Sequence, residues 1–386
     1  MAKRRAFLRE VWITDSGVVT GVGKNLEDTW KNLIAGKTAI REITRFPVKS
    51  YRASIGACIP HLTPSGPVSL IRSVTDLLIN QISNVPADSL LITATTKAGI
   101  DNLEKLKRGV AAVTNDILPS FLSATIGKKL GLGGGSLNIS AACASSTVAI
   151  AQGTALISSG TVESALICSA DVITEFVFSG FSALQILSPF PCKPFDRNRA
   201  GLSLGEGASF LMLMNANRAK RLGLSRKVSI AGFGVANDAS HITAPDKNGS
   251  GLIKAISRAM KVANIENDAI TGISAHGTGT IHNDLMELTA FRTVFAKNCP
   301  PIYSVKGCIG HTFGAAGGIE VALANKALLE QTIPPTVGFS DPEKGAEGLV
   351  SSQPLSIKGD YLLVTNSGFG GINAAIILKK GLSSEN

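Results

Sequence analysis

One of the six cysteines in this chain sits in a setting unlike the others. The run Asn138-Ile-Ser-Ala-Ala-Cys143-Ala-Ser-Ser-Thr-Val-Ala-Ile150 reads as a short strand, a tight turn of small residues, and a helix beginning at Cys143. A sulfur there meets the free N–H groups and the positive dipole end of a helix, which favour a thiolate. Two histidines lie in glycine-flanked runs further on, Ala275-His276-Gly-Thr-Gly-Thr280 and Gly310-His311-Thr-Phe-Gly-Ala-Ala-Gly317. One nucleophile and two imidazoles, with no metal-ligand spacing around them, predict acyl transfer and carbon–carbon bond chemistry without a metal. Cys58, Cys168 and Cys299 read as packing residues, the commonest fate of a free cysteine. His61, His241 and His282 occupy no comparable setting, although His241 lies in a loop of its own interest.

The elements that must hold these groups alternate along the chain. Val11–Ile13 reads as a strand leading into a turn at Gly17, Gly21 and Gly23, followed by a helix over Leu26–Ala35. Helix Ser69–Ser83, strand Leu90–Ala94, strand Leu137–Ala141, the helix from Cys143 to about Ser159, and strands Ala165–Ser169 and Ser209–Met214 follow. A second series starts at Val228–Phe233. It continues with helix 249–264, strand Gly272–Ala275, helix Asn283–Phe295, strand Ile302–Val305, helix 314–331 and strands Tyr361–Thr365 and Asn373–Leu378. This βα rhythm predicts α/β layering with right-handed crossovers. The halves are drawn at residues 1–224, with the cysteine, and 225–386, with both histidines.

Bulk composition narrows the function. The chain has 386 residues, 44% of them hydrophobic, which is ample for a large core. Its net charge of +10 is carried by dispersed lysines and arginines with no interleaved aromatic stripe, so nucleic acid is not the expected partner. An acidic protein partner suits a diffuse basic surface. No CxxC pair and no disulfide-rich spacing occur, which predicts a reduced, cytoplasmic protein. No stretch of 18 or more apolar residues suggests a membrane span.

Taken together, the motifs resemble those of the β-ketoacyl-acyl carrier protein synthases, and more narrowly the elongating ketosynthases of dissociated fatty-acid and type II polyketide systems. The resemblance is carried by Ala-Cys143-Ala-Ser-Ser, Lys193-Pro-Phe-Asp-Arg197, Gly201-Leu-Ser-Leu-Gly-Glu-Gly-Ala208 and Asp238-Ala-Ser-His-Ile-Thr-Ala-Pro-Asp246. It continues through the two histidine motifs, Ser304-Val-Lys-Gly-Cys-Ile-Gly-His311, Gly314-Ala-Ala-Gly-Gly-Ile-Glu320 and Gly368-Phe-Gly-Gly-Ile-Asn373. Each is weak alone; their joint order is specific. It implies the thiolase fold: two similar βαβαβ-based halves in a five-layer α-β-α-β-α arrangement, usually dimeric.

The resemblance also implies roles. Cys143 would carry the acyl chain, with Cys308 a neighbour of His311 rather than a nucleophile. His276 and His311 would stabilise the enolate formed when a malonyl thioester loses CO₂. Lys306 and Glu320 would form a supporting ion pair, and Thr278 and Thr280 would bind the pantetheine arm. A threonine capping the following helix is the plain alternative for the last two. Phe369 would contribute its N–H, with that of Cys143, to an oxyanion hole, and its ring would gate the acyl pocket. Phe178 and Phe181 would line that pocket, a dimer interface or simply core. The partner would be an acyl carrier protein, which brings its own phosphopantetheine, so the chain itself needs no cofactor. It would pair as a homodimer, or as a heterodimer with a ketosynthase-like subunit.

Two departures bear on substrate. The family loop Asn-Ser-Phe-Gly-Phe-Gly-Gly is here Thr365-Asn-Ser-Gly-Phe-Gly-Gly371, which places Ser367 at the first phenylalanine. The segment between Leu90 and Cys143 is compact where relatives carry a longer glycine-rich connection. Both predict an altered acyl pocket and a specialised fatty-acid, polyketide or polyene substrate. Two rivals differ in kind. A silent chain-length partner would lack the cysteine, and a thiolase would place a second cysteine where Phe369 stands.

Overall fold

The computed structural model describes residues 9–60, 62 and 66–381. His61 lies outside them. Among the described residues ten strands form the main sheet: β1 (Val11–Thr20), β2 (Leu90–Ala94), β3 (Ser136–Ile139), β4 (Ser164–Asp171), β5 (Gly207–Asn215), β6 (Val228–Asn237), β7 (Ile270–Ser274), β8 (Ile302–Tyr303), β9 (Tyr361–Gly368) and β10 (Ile372–Lys380). The first five lie in the order β3-β2-β4-β5-β1 and the last five in the order β8-β7-β9-β10-β6. Each set has the same pattern: two parallel pairings around its second strand, then antiparallel pairings outward. The sets join where Val11–Ile13 of β1 pairs with Val228–Ile230 of β6.

Two helices fill the space between the sets. Helix α3 (Ser145–Ser158) packs on β2, β4 and β5 but also on β6 and β10, and α6 (Ala316–Glu330) packs on β1, β5, β9 and β10 and against α3. Both are made largely of small and apolar residues and are buried nearly all round, as a helix covered on every side must be. The outer faces carry one-sided helices. In α4 (Ser250–Ala263) the buried Leu252, Ala255, Ile256, Ala259 and Met260 recur at helical spacing. Helices α1 (Leu70–Ile79) and α2 (Ser120–Leu130) cover the first set, while α4 and α5 (Ile281–Phe295) cover the second. The result is a five-layer α-β-α-β-α thiolase-type stack, with separate apolar clusters in its central and outer layers.

Three expectations are corrected. Gly17 is no turn: β1 runs on to Thr20, kinked by a register shift between Ile13 and Asp15. A Cβ at Gly17 would stand 2.3 Å from the Phe210 ring, so the glycine marks close packing. The helix expected to begin at Cys143 begins at Ser145, two residues further on. The helix predicted over Ser69–Ser83 stops at Ile79, capped by Asn80.

The central layer allows no extra atoms. A Cβ on Gly317 of α6 would fall 1.8 Å from Thr147 Oγ1 and 2.7 Å from Asn366 Oδ1. Gly317→Ala should therefore drive the helices apart and lower thermal stability by about 1–3 kcal/mol, the usual cost of overpacking. A melting temperature equal to wild type would show that the layer yields.

Candidate active site

Cys143 sits on a strained elbow. Ala142 before it has φ +47°, which side-chain-bearing residues seldom adopt. Ser145 holds the bend: its hydroxyl accepts from Ala141 N (2.8 Å) and donates to Ala142 O (2.6 Å). The sulfur therefore stands just outside the first turn of α3, near the positive end of the helix.

The histidines come from the other half of the chain. His311 Nε2 lies 3.0 Å from Cys143 Sγ, and the two imidazoles stand edge to face with centroids 5.2 Å apart. The Phe369 backbone N–H lies toward the sulfur and favours its charged form. Cys143, both histidines, Thr278, Thr280 and Phe369 line one open cavity. Burial of the sulfur pushes its pKa up to about 11. Lys97, Lys306 and the Phe369 N–H pull against burial, and Asp171 adds to it. The resting group is thus a thiol hydrogen-bonded to an imidazole, rather than the free thiolate expected from the helix end.

Behind His276 lies a closed polar network. Lys306 Nζ and Glu320 Oε1 are 2.5 Å apart, and both side chains are 1% exposed. Lys306 also donates to the His276 carbonyl. Asn366 completes the network: its Nδ2 donates to Glu320 Oε2 (2.6 Å) and to His276 Nδ1 (3.3 Å), and its Oδ1 accepts from Thr147 Oγ1 (2.5 Å). An amide donating to Nδ1 leaves the proton of neutral His276 on Nε2. His311 is different: among the described residues its Nδ1 has no partner, so nothing behind the ring fixes its tautomer.

Burial, then the Lys306 charge, drives both histidine pKa values well below their ordinary range; His311 also acts on His276, and Lys97 on His311. Both rings stay neutral where free imidazole, with a pKa of about 6.5, would charge. The histidine-dependent rate should therefore be flat from pH 8 down to 6. A fall to half near pH 6.5 would show that solvent reaches the rings.

Thr280 occupies the N-cap of α5 but makes no side-chain cap bond; its hydroxyl pairs with that of Thr278 at 2.9 Å. Phe178 is core, packed on Phe46 and Tyr51, whereas Phe181 lines the cavity between Phe313 and Phe369. His241 is a loop anchor, its Nδ1 accepting from Thr243 N and Ala244 N. His282, read from sequence as an ordinary residue, lines the same cavity. Ser367 donates to Asn373 Oδ1 (2.7 Å), and Asn373 Nδ2 donates to Asp238 Oδ1 (2.9 Å). Ser367, where the resemblance led to an expectation of phenylalanine, is thus part of a polar knot at the cavity wall.

Sequence reasoning missed Asn366, Lys97 and Glu287. Glu287 accepts the N–H groups of His276 and Gly277, and burial with Asp284 beside it pushes its pKa up to about 7. Asn366 lies in the loop read for Ser367 and Phe369; a polar residue next to those two was the available signal.

Fold and site define an acyltransferase of thiolase architecture with a cysteine and two histidines on one cavity. The β-ketoacyl synthase N-terminal domain is matched over residues 90–219 and the C-terminal domain over 228–340. The chain belongs to the β-ketoacyl synthase family. It is 27% identical to 3-oxoacyl-[acyl-carrier-protein] synthase 2 of Vibrio harveyi, over 98% of this chain and 99% of that one. Among solved structures it is similar to the ishigamide ketosynthase/chain length factor, with a TM-score of 0.87 and 27% identity over 97% of this chain and 100% of that one. It is also similar to a chain of the complex of ketosynthase ApeO with its chain length factor ApeC from Xenorhabdus doucetiae. There the TM-score is 0.79 and the identity 25%, over 99% of this chain and 100% of that one. Among the described residues no helix is long and apolar enough to cross a membrane.

Proposed function

We propose that this chain condenses an acyl group held on Cys143 with a malonyl thioester of an acyl carrier protein, giving the 3-oxoacyl thioester and CO₂ in a specialised pathway. The observation that carries this reading is the Cys143 sulfur at 3.0 Å from His311 Nε2, with His276 edge-on beside it.

In the first half-reaction the sulfur attacks the acyl thioester carbonyl. A new S–C bond forms, the carrier's C–S bond breaks, and the thiol proton passes through His311 to the leaving pantetheine thiolate. In the second, the malonyl C–C bond breaks and CO₂ departs. Charge gathers on the thioester oxygen, where the Nε2–H groups of His276 and His311 receive it. The enolate carbon then attacks the Cys143 thioester, and the N–H groups of Cys143 and Phe369 hold the oxyanion until the sulfur leaves. The pinned tautomer of His276 suits a permanent donor. The unpinned ring of His311 suits a group that accepts in one half-reaction and donates in the other.

A basic chain suits an acidic carrier, and Thr278 and Thr280 at the cavity wall suit the amides of its arm. A second ketosynthase-like subunit, identical or diverged, is proposed at the β3 edge. That strand exposes Leu137, and Leu118 is exposed beside Pro119, whose carbonyl accepts from Asn138. Leu103, Leu106 and Phe176 are exposed further along the same run of packing, in which 100–107 lies against 114–117 and 175–183. The Xenorhabdus doucetiae neighbour was solved with such a subunit. The polar knot at Ser367 supports the specialised substrate. Incubation with acyl- and malonyl-carrier thioesters, read by mass, should give a product longer by two carbons with loss of CO₂. A folded chain that neither loads nor extends any acyl group would sink the proposal and favour the silent-partner role.

A further inference from the structure

Lys97 lies three residues past the end of β2 and has no place in the chemistry above. Its ammonium sits 4.0 Å from the centroid of the Phe313 ring and donates to the Thr96 hydroxyl. Thr96 passes the contact on to Asp171 Oδ2 at 2.9 Å. Asp171 is occupied elsewhere too, accepting the N–H groups of Thr96 and Gly314 and the Thr95 hydroxyl. The same Phe313 ring packs 5.8 Å from the His311 ring, whose Nε2 touches the Cys143 sulfur. A phenyl ring and an imidazole thus connect the ammonium to the sulfur, and its charge acts on that sulfur.

We infer that Lys97 is a positioning residue for acyl transfer: seated on Phe313, its ammonium supplies the uncompensated positive charge that faces the Cys143 sulfur and raises its thiolate fraction. The inference rests on reading Cys143 as the nucleophile. Lys306 is the other cation near the sulfur, but Glu320 is in direct contact with it and cancels much of its field. Lys97 has its carboxylate only at second hand, through Thr96. An ammonium on an aromatic face is held without being neutralised.

The remaining groups around the sulfur do not supply this charge. His276 and His311 are neutral, Asp171 acts in the opposite sense, and the Phe369 N–H contributes a dipole rather than a charge. Burial penalises protonated Lys97, while Asp171 and the thiolate favour it, so lysine and sulfur support each other's charged forms.

The test is alkylation of Cys143 by iodoacetamide between pH 6 and 9, followed on its peptide by mass. Sulfur gains a carbon and iodide leaves, and no carrier is needed, so the result stands whether or not the chain condenses acyl groups. In every form the rate should rise with pH. Lys97→Met and Lys97→Gln should run about 10-fold below wild type at each pH, the mark of a one-unit shift in thiol pKa. Lys97→Arg should stay within about 2-fold of wild type, since it keeps the charge. In wild type alone, the iodoacetate-to-iodoacetamide rate ratio at Cys143 should exceed that of free cysteine, which keeps the inference testable should the neutral variants fail to fold. Neutral variants at the wild-type rate, an arginine variant as slow as methionine, or a rate ratio no higher than free cysteine would each overturn it. A Cys143 inert in every form would overturn the nucleophile reading, and this inference with it.

Discussion

His276→Ala should still accumulate acyl-enzyme at the wild-type level while forming the new carbon–carbon bond about 10²–10³-fold more slowly, the usual loss for one donor to a developing oxyanion. Cys143→Ala should show neither adduct nor product. The contrast follows from geometry: His311, not His276, touches the sulfur. His276 is held by Asn366 and by Lys306 behind it, with its Nε2 as the remaining donor. Intact mass after loading, followed by product analysis on adding malonyl carrier, reads the two steps separately. Equal loss of adduct and product in His276→Ala would mean that His276 serves acyl transfer, and the division of labour would be wrong.

The second large effect is on stability. Lys306→Met would leave the Glu320 carboxylate buried with only Asn366 as a partner, and breaking a buried pair in this way costs about 3–5 kcal/mol. Glu320→Leu alone should be similarly severe. The double variant Lys306→Met/Glu320→Leu should recover much of the loss, because two apolar side chains need no partner. Thermal melts of the four forms close the cycle. Strictly additive losses would show that the pair is not coupled. Condensation should remain impaired even in the stable double variant, since the His276 loop loses its lysine tether.

What the chain disclosed in advance was what it carries contiguously. Cys143, His276 and His311 each sit in a run of small residues and glycines whose turn chemistry can be read locally. Lys306 and Glu320 lie one motif apart, and the two series of strands announce the layers. Asn366 stayed hidden because its meaning comes from Thr147, 219 positions away, and from Glu320 and His276 on other elements. Lys97 looked like one basic residue among many until Phe313 was placed beneath it. Gly17 was misread because a glycine that opens space for Phe210 across a strand pair looks, in sequence, like one that makes a turn. The start of α3 slipped by two residues because the elbow's left-handed Ala142 is a tertiary constraint that no alanine advertises.

The join between the two strand sets has a further consequence. The sulfur belongs to the first set and both imidazoles to the second, and their spacing depends on ties across the central layer: Ser146 to Gly318, Thr147 to Asn366 and Asp171 to Gly314. On the proposed chemistry neither set would carry a partial reaction by itself. A chain whose halves had each folded but docked a residue out of step would look native in its secondary structure and be chemically mute. In this architecture reactivity is an assay of assembly, and the thiol reports whether two nearly self-similar pieces have found their one correct alignment.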